Sequence, residues 1–411
     1  MSASTETVRP GALWDRDETP RLIGYAGIGL GVLAFWVALP PLHERSIVLP
    51  VILGVAALAA GILAIVRGER RAGWGAIASG LVGIAGGILA THSGVTHLET
   101  VVVWSALLSA TLRSATPLTF AAIGGLFSER SGVVNIGLEG MMLTGAFFAV
   151  WGADITGSWI TGLLIAMLAG GALALVYAFF AIHLRADQIV GGTAINFLAL
   201  GITGYLYIDI YGTQGTPNDL SSIPDVHLTW LGRIPPHGLG RFLDDSIGQM
   251  NLMVWLSLAL LVVTWLVMFK TPVGLRIRAV GEHPRAADTV GISVYLVRYG
   301  CVTLSGVLAA LGGAYLSLGF VHSFSENMTA GRGFIALAAL IFGGWRPFGA
   351  FGAALLFGFS SALARRLPDA YGSSAGTLFE ALPYVLTLIA VAGVIGRSIP
   401  PAAVGRPYKK Q

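Results

Sequence analysis

Long apolar stretches separated by short polar connectors run along most of the chain. Several of them hold enough nearly uncharged residues to cross a hydrocarbon core as a helix, which takes about 20 residues. The stretches are, in chain order, Leu22–Pro40, Ile47–Val66, Trp74–Thr91, Val133–Trp151, Trp159–His183, Ile189–Tyr211, Leu252–Phe269, Leu296–Phe320, Gly333–Phe342, Phe348–Ala364 and Thr377–Ile395. The pattern predicts an all-α polytopic membrane protein.

Composition agrees with this prediction. The chain is 55% hydrophobic and 11% charged, whereas soluble domains carry roughly 25% charged residues. The net charge of +4 comes from basic residues in loops beside apolar segments, which set membrane orientation. We therefore expect a lipid bilayer as the surrounding medium and no nucleic acid partner.

The loops predict an orientation and a division of the chain. Residues 67–71 and 270–298 are basic, whereas Gly212–Met250 is mainly acidic, and basic loops stay in the cytoplasm. Both termini are then cytoplasmic. We predict a disordered cytoplasmic tail over 1–20, an extension with three transmembrane segments over 21–98, and the main body over 99–411.

One apolar region is interrupted by glycines and charges between Gly124 and Met142. We expect a short outer helix over Val101–Leu112, which ends before Pro117, and then a descending segment over Ser114–Phe127. A membrane helix tolerates such a break where its polar groups face protein or a water-filled path. This region is our first candidate for function.

A second interruption follows in the other half, at Ser323–Asn327 and Gly331–Gly333. In the predicted topology the first break lies at the inner side and the second at the outer side. Two broken helices of opposite orientation are typical of an inverted repeat whose seam lines a substrate path. Coincidence is the alternative interpretation of this weak similarity.

The loop Gly274–Ile292 predicts a short cytoplasmic helix. Pro284 suits a first helical turn, residues 285–290 favour a helix, and Gly291 is placed to end it. Such a helix could bind a partner protein. The alternative is a solvated connector whose arginines only fix orientation.

These residues together resemble the permease subunits of ABC importers, in the branch that serves branched-chain amino acids, ribose-type sugars and nucleosides. The similarity covers about residue 99 onward and is greatest to bacterial nucleoside permeases. The stretches that carry it are Gly125–Met142, Arg185–Val190, Gly274–Ile292 and Ser325–Ala339.

The resemblance implies a type II importer-like permease with broken helices in the bacterial plasma (inner) membrane. It implies a cytoplasmic ABC ATPase subunit, a second, paralogous permease subunit and an extracytoplasmic lipoprotein-like binding protein as partners. ATP hydrolysis is then expected on the partner, so this chain is not itself an enzyme, and no cofactor is expected. The resemblance places the ATPase-coupling loop at Gly281, Glu282, Pro284, Arg285, Ala286, Ala287 and Gly291. Within it Arg285–Gly291 is similar to the coupling motif of such permeases, with Arg285 in place of the usual glutamate.

Nucleosides are uncharged, so their path needs amide groups and aromatic faces. The candidate path residues are Asn135, Glu139, Gln188, Asn196, Phe197, Asn327 and Phe334. Asn135 and Asn327 could instead cap broken helices. Glu139 could brace the first break, since a carboxylate inside a membrane is costly unless it is paired or wet.

Three other functions fit the same features. A permease of this family could carry a simple sugar or a branched-chain amino acid. A proton-coupled secondary transporter would need buried titratable groups, for which Glu139 and Asp209 are the candidates. A membrane scaffold that transports nothing is the last alternative.

Overall fold

The computed structural model describes residues 19–37, 47–92, 103–212, 214–217, 219–233, 237–371 and 399–410. Most of the predicted tail and the predicted span Thr377–Ile395 lie outside these residues. Among the described residues, seven helices are long and apolar enough to cross a membrane: Val48–Val66, Trp104–Arg130, Trp159–His183, Gln188–Tyr211, Leu252–Lys270, Val294–Val321 and Pro347–Arg365. The chain is a multi-pass helical membrane protein, as predicted.

The first three helices belong to one compact unit. They are α1 (Thr19–Val37), α2 (Val48–Val66) and α3 (Arg70–His92). Their backbones approach closely at glycines. A Cβ on Gly61 would lie only 2.7 Å from the Gly73 carbonyl oxygen. A Cβ on Gly80 would lie 2.9 Å from the Gly54 carbonyl oxygen. Small residues at helix crossings are typical of membrane bundles.

Residues 105–365 and 399–410 belong to a second unit. Its helices and strands are α4 (Trp104–Arg130), α5 (Leu138–Thr156), α6 (Trp159–Ala178), α7 (Gln188–Tyr211), β1 (Asp225–His227), α8 (His237–Leu243), β2 (Gln249–Asn251), α9 (Leu252–Lys270), α10 (Pro272–Glu282), α11 (Pro284–Thr289), α12 (Val294–Ala314), α13 (Arg332–Phe342) and α14 (Pro347–Tyr371). Single π-helical segments extend α6 through His183 and α12 through Val321. The antiparallel pair β1–β2 and helix α8 lie in the predicted loop Gly212–Met250.

Helix α5 is the centre of the second unit and is buried along most of its length. Its crossing with α12 depends on glycine. A Cβ on Gly313 would collide with the Met142 carbonyl oxygen, and one on Gly145 would collide with the backbone of Ala310. A helix enclosed by protein on all sides can carry polar groups that lipid would not accept.

Two predicted helix boundaries are wrong. Helix α4 runs without interruption from Trp104 to Arg130 and includes Pro117. Proline removes one helical hydrogen bond and crowds the carbonyl four residues earlier. Helix α12 nevertheless packs directly on this turn and supports it, since a Cβ on Gly312 would lie 2.8 Å from the Pro117 carbonyl oxygen. Helix α5 begins at Leu138 instead of Val133, because the intervening residues form a separate connector.

The second unit has two distinguishable ends. At the hairpin end, which carries β1 and β2, the Arg113 guanidinium donates to the Gln249 carbonyl at 2.9 Å. At the α10/α11 end, a Cβ on Gly281 would collide with the Arg130 carbonyl oxygen. Helix α4 therefore runs from the hairpin end to the α10/α11 end.

Candidate functional site: two helix breaks joined by Glu139

The first break is the connector Ser131–Gly137 between α4 and α5. Helix α4 ends where Gly132 adopts a φ of 94° and its N–H donates to the Glu129 carbonyl at 3.0 Å. This left-handed conformation is the usual helix stop at glycine. The Ser128 hydroxyl then donates to the Val133 carbonyl at 2.7 Å. Local hydrogen bonds thus fix the start of the break.

Side chains from three other helices hold the rest of the first break. The Val134 N–H donates to Gln188 Oε1 at 2.8 Å, and the Tyr177 hydroxyl donates to the Val134 carbonyl. The buried Asn135 amide donates to Ser305 Oγ at 2.9 Å. These contacts link α4 and α5 to α6, α7 and α12. The break is a braced connector.

Asn196 caps the start of α5 from the neighbouring helix α7. Its Oδ1 accepts from the Gly140 N–H at 2.8 Å, and its Nδ2 donates to the Ile136 carbonyl at 3.0 Å. The first N–H groups of a helix have no partner within that helix. Gly137, the residue before α5, supplies no side-chain cap. Asn196 therefore caps α5 from another helix of the same chain.

Glu139 joins the first break to the second. Its carboxylate accepts from the Thr329 hydroxyl at 2.6 Å, the Gly331 N–H at 2.8 Å and the Gly333 N–H at 2.6 Å. It lies in the first turn of α5 and faces the first turn of α13. A negative charge is favourable at the positive end of a helix dipole. Two helix N-termini therefore share one carboxylate.

The second break comprises residues His322–Gly331, between α12 and α13. Three of its non-glycine residues have positive φ: His322 at 59°, Asn327 at 53° and Ala330 at 43°. The Phe324 N–H donates to Thr216 Oγ1 at 3.2 Å, which ties the break to the hairpin end. The breaks thus begin at opposite ends of the unit, and α5 and α13 run in opposite directions, as an inverted repeat predicts.

The far end of α13 is attached to the end of α4 through Trp345. Its indole N–H donates to Glu129 Oε2 at 2.5 Å, and its carbonyl accepts from Arg130 at 2.7 Å. The sequence alone did not predict this contact. Charges at Glu129 and Arg130 inside an apolar region required partners, but nothing local indicated a tryptophan more than 200 residues away.

The structure divides the predicted path residues into two groups. Asn135, Glu139, Gln188 and Asn196 are buried or partly buried and hold the backbone of the breaks. Asn327, Phe197 and Phe334 are exposed, the two rings at 70% and 47%. Among the described residues, Asn135 Oδ1 and Gln188 Nε2 have no hydrogen-bond partner.

The predicted helix in the Gly274–Ile292 loop is present as α11, with Pro284 at its start and Gly291 after it at a φ of 83°. Helix α10 precedes it and was not predicted separately. The predicted coupling residues Glu282, Arg285, Ala286 and Gly291 are exposed, Pro284 is partly exposed, and Gly281 and Ala287 are buried. Ala287 packs with Val280, Val294 and Tyr408. The described residues contain no cluster of His, Cys, Asp or Glu suited to a metal.

Comparison with known proteins identifies relatives of the chain. It is 43% identical over 329 residues to the guanosine ABC transporter permease protein NupQ of Bacillus subtilis, covering 76% of this chain and 99% of the relative. It is 39% identical over 312 residues to the nucleoside ABC transporter permease protein NupC of Lactococcus lactis, covering 72% and 94%. NupP, another guanosine ABC transporter permease protein of Bacillus subtilis, is 28% identical over 258 residues, covering 60% and 70%. No solved structure matches the chain significantly.

The family described as "Branched-chain amino acid transport system / permease component" matches residues 107–391. The match includes both breaks and the α10–α11 pair. It confirms the resemblance that these motifs indicated. The chain therefore belongs to this family and is a membrane-spanning permease subunit of the ABC transporter class.

Proposed function

We propose that this permease translocates nucleosides into the cytoplasm as part of an ABC importer, with ATP hydrolysis on a separate subunit. The observation that carries the proposal is the 43% identity to a guanosine permease along 99% of that relative's length. A match over the whole relative includes all elements that could form its solute path. It therefore supports the same class of cargo.

The ATPase binds at α11 in this proposal. Arg285, Ala286 and Val290 are exposed there, while Ala287 is anchored against the body at 4% exposure. A short helix fixed on one face and free on the other suits insertion into a groove on a partner. The basic loop around it favours a cytoplasmic location. The described C-terminal residues lie at the same end, since the Ala403 N–H donates to the Gly281 carbonyl.

The opposite end receives the solute from an extracytoplasmic lipoprotein-like binding protein. The described residues of the loop after α7 include the β1–β2 pair at that end, and the Asn251 amide donates to the Ile223 carbonyl at 2.9 Å. A second, paralogous permease and the lipid bilayer cover the exposed apolar face of α7, except where Phe197 faces the solute path. The two guanosine permeases of Bacillus subtilis support such a pair.

The solute touches the exposed members of the predicted path, Phe197, Asn327 and Phe334. Aromatic faces stack on the base, and an amide exchanges hydrogen bonds with base or ribose. Phe197 and Phe334 each follow a residue that contacts the first turn of α5, namely Asn196 and Gly333. The buried members, including Glu139, act by holding the backbone around the path.

Reconstitution tests the proposal directly. The permease with its second permease, ATPase and binding protein should accumulate labelled guanosine in proteoliposomes when ATP is supplied. Unlabelled nucleosides should compete, whereas ribose, glucose and leucine should not. Uptake that continues without the ATPase, or that a proton uncoupler abolishes at fixed ATP, would contradict ABC-driven transport. Competition by a sugar or an amino acid, but not by nucleosides, would contradict nucleosides as the cargo.

Arg285→Glu tests the binding surface on α11. Reversal of an exposed charge at the contact should lower ATP-dependent uptake about ten-fold, which corresponds to about 1.4 kcal/mol, because partner surfaces carry complementary charge. Arg276→Glu, a reversal at an exposed position of α10, is the matched control. Equal uptake by the two variants would reject the docking role of Arg285.

A further inference from the structure

The C-terminal segment Ile399–Lys410, here called the strap, lies beyond the matched family region 107–391. None of the functions predicted from the sequence assigns a role to it. The Ala403 N–H donates to the Gly281 carbonyl at 2.9 Å, and the Ala402 N–H donates to Glu282 Oε2 at 3.1 Å. The strap is therefore attached to the end of α10.

Tyr408 attaches the strap to α11. Its hydroxyl donates to Asp288 Oδ2 at 2.8 Å, and its ring is only 6% exposed among Val280, Ala287 and Val294. Burial of the ring and the adjacent Asp288 carboxylate both raise the pKa of Tyr408. The hydroxyl therefore stays protonated and remains a donor to Asp288.

The strap also contacts the first break. The ideal Cβ position of Gly132 lies 3.3 Å from the Ala403 carbonyl oxygen. A Cβ on Gly405 would lie 3.7 Å from Val134 Cγ2. The same short segment thus lies against both the α10–α11 pair and the connector between α4 and α5.

Arg298 fastens these parts together. It lies in α12 shortly after α11 and is 1% exposed. Its Nε donates to the Ser131 carbonyl in the first break at 3.2 Å, and its Nη1 donates to the Arg406 carbonyl in the strap at 3.2 Å. A buried guanidinium depends on such acceptors, because burial of an unpaired charge is costly. Loss of the strap would remove one of them.

From these contacts we infer that the strap makes α10, α11 and the first break move as one body, with Arg298 and Tyr408 as positioning residues. A displacement of α11 by a bound ATPase then shifts Ser131–Gly137 and the start of α5. Through Glu139 the shift reaches Gly331 and Gly333 at the start of α13. This inference rests on the proposed function, because it assigns the strap to the coupling of ATP hydrolysis to transport.

The test compares two truncations and one point variant in the reconstituted transporter. Deletion of 406–411 removes the Arg406 carbonyl and Tyr408, whereas deletion of 409–411 leaves both in place. Tyr408→Phe removes only the hydroxyl. The measured quantity is guanosine transported per ATP hydrolysed.

We expect the longer deletion to lower this ratio at least ten-fold while ATP hydrolysis continues. Tyr408→Phe should lower it about five-fold, which corresponds to about 1 kcal/mol for one hydrogen bond. The shorter deletion should match the wild type. Wild-type ratios in both the longer deletion and Tyr408→Phe would overturn the inference.

Hydrogen exchange supplies a second measurement that does not depend on the cargo. Peptides that cover 128–137 should exchange faster in Tyr408→Phe than in the wild type, because the first break loses part of its support. Unchanged exchange would overturn the inference. Absence of ATP-dependent guanosine uptake by the wild type would instead contradict the proposed function, and the exchange result would still decide the role of the strap.

Discussion

The two breaks that meet at Glu139 are built in different ways. In the first, Ser131, Val133 and Asn135 are fully buried, and other helices hold the connector. In the second, Ser325, Glu326 and Asn327 are exposed. Segments with few buried contacts open more easily than enclosed ones. The difference indicates a rigid element joined to one that can change shape.

Backbone conformation shows the same contrast. The first break places its positive φ on Gly132, which adopts this conformation without steric cost. The second break places positive φ on His322, Asn327 and Ala330 as well as on Gly331. A left-handed non-glycine residue costs about 1 to 2 kcal/mol. Such strain concentrates where a protein switches between conformations.

Gly333→Ala should have the largest effect on this arrangement. The new Cβ would lie 2.5 Å from the backbone N and Cα of Glu139, so α5 and α13 would have to separate. We expect a loss of stability of about 3 kcal/mol and almost no uptake. Gly352→Ala is the control, since nothing lies within 4 Å of that Cβ position. Similar melting temperatures for the two variants would contradict the close approach.

Glu139 substitutions test whether the carboxylate is a brace or a solute ligand. Glu139→Ala leaves three donors without an acceptor, at about 1 kcal/mol for each. Glu139→Gln keeps one acceptor oxygen and should lower the stability by about half as much as Glu139→Ala. Thermal unfolding in detergent measures both. The maximal uptake rate should fall while KM for guanosine stays constant; a raised KM at an unchanged rate would identify a ligand instead.

Asn196→Ala affects the first break alone. It leaves the Gly140 N–H and the Ile136 carbonyl without their side-chain partner, and loss of a cap costs about 1 kcal/mol. We expect a lower melting temperature and faster hydrogen exchange at 131–140, with exchange at 322–331 little changed. Phe197→Ala, an exposed neighbour on α7, should leave exchange in the first break unaltered. Equal changes in both variants would reject the capping role.

A pair of glycine exchanges should give small effects of opposite sign. Ala330→Gly relieves a φ of 43° in the second break and should stabilise the protein by about 0.5 kcal/mol. Gly132→Ala forces alanine to a φ of 94° with a Cβ 2.8 Å from Arg298 Nη2, which should destabilise it by more than about 1 kcal/mol. Melting temperatures that shift in the same direction would contradict the contrast between the breaks.

Hydropathy predicted most spans in the described residues to within a few positions. It also located both breaks, because polar and glycine residues inside apolar sequence are local signals. The continuity of α4 through Pro117 and the start of α5 at Leu138 were missed. The first depends on packing against α12 and the second on capping by Asn196. Neither contact can be recognised from the local sequence.

The contacts of the site depend on partners that are distant in sequence. Glu139 and Gly333 are separated by 194 positions, and Arg298 and Arg406 by 108. A carboxylate inside the membrane needs donors, so the sequence alone indicates that Glu139 could brace the first break. No local pattern identifies the groups that donate to it, because they lie about 190 positions away. The sequence did not indicate the contacts of the strap, because most of them are made by backbone groups.

Hydrogen exchange on the assembled transporter tests the contrast between the breaks most directly. Peptides covering 128–137 and 322–331 would be followed without nucleotide and with the ATPase trapped by vanadate. We expect exchange in the first break to stay slow in both states, while exchange in the second break changes several-fold. Equal change in both breaks, or change confined to 128–137, would contradict this expectation.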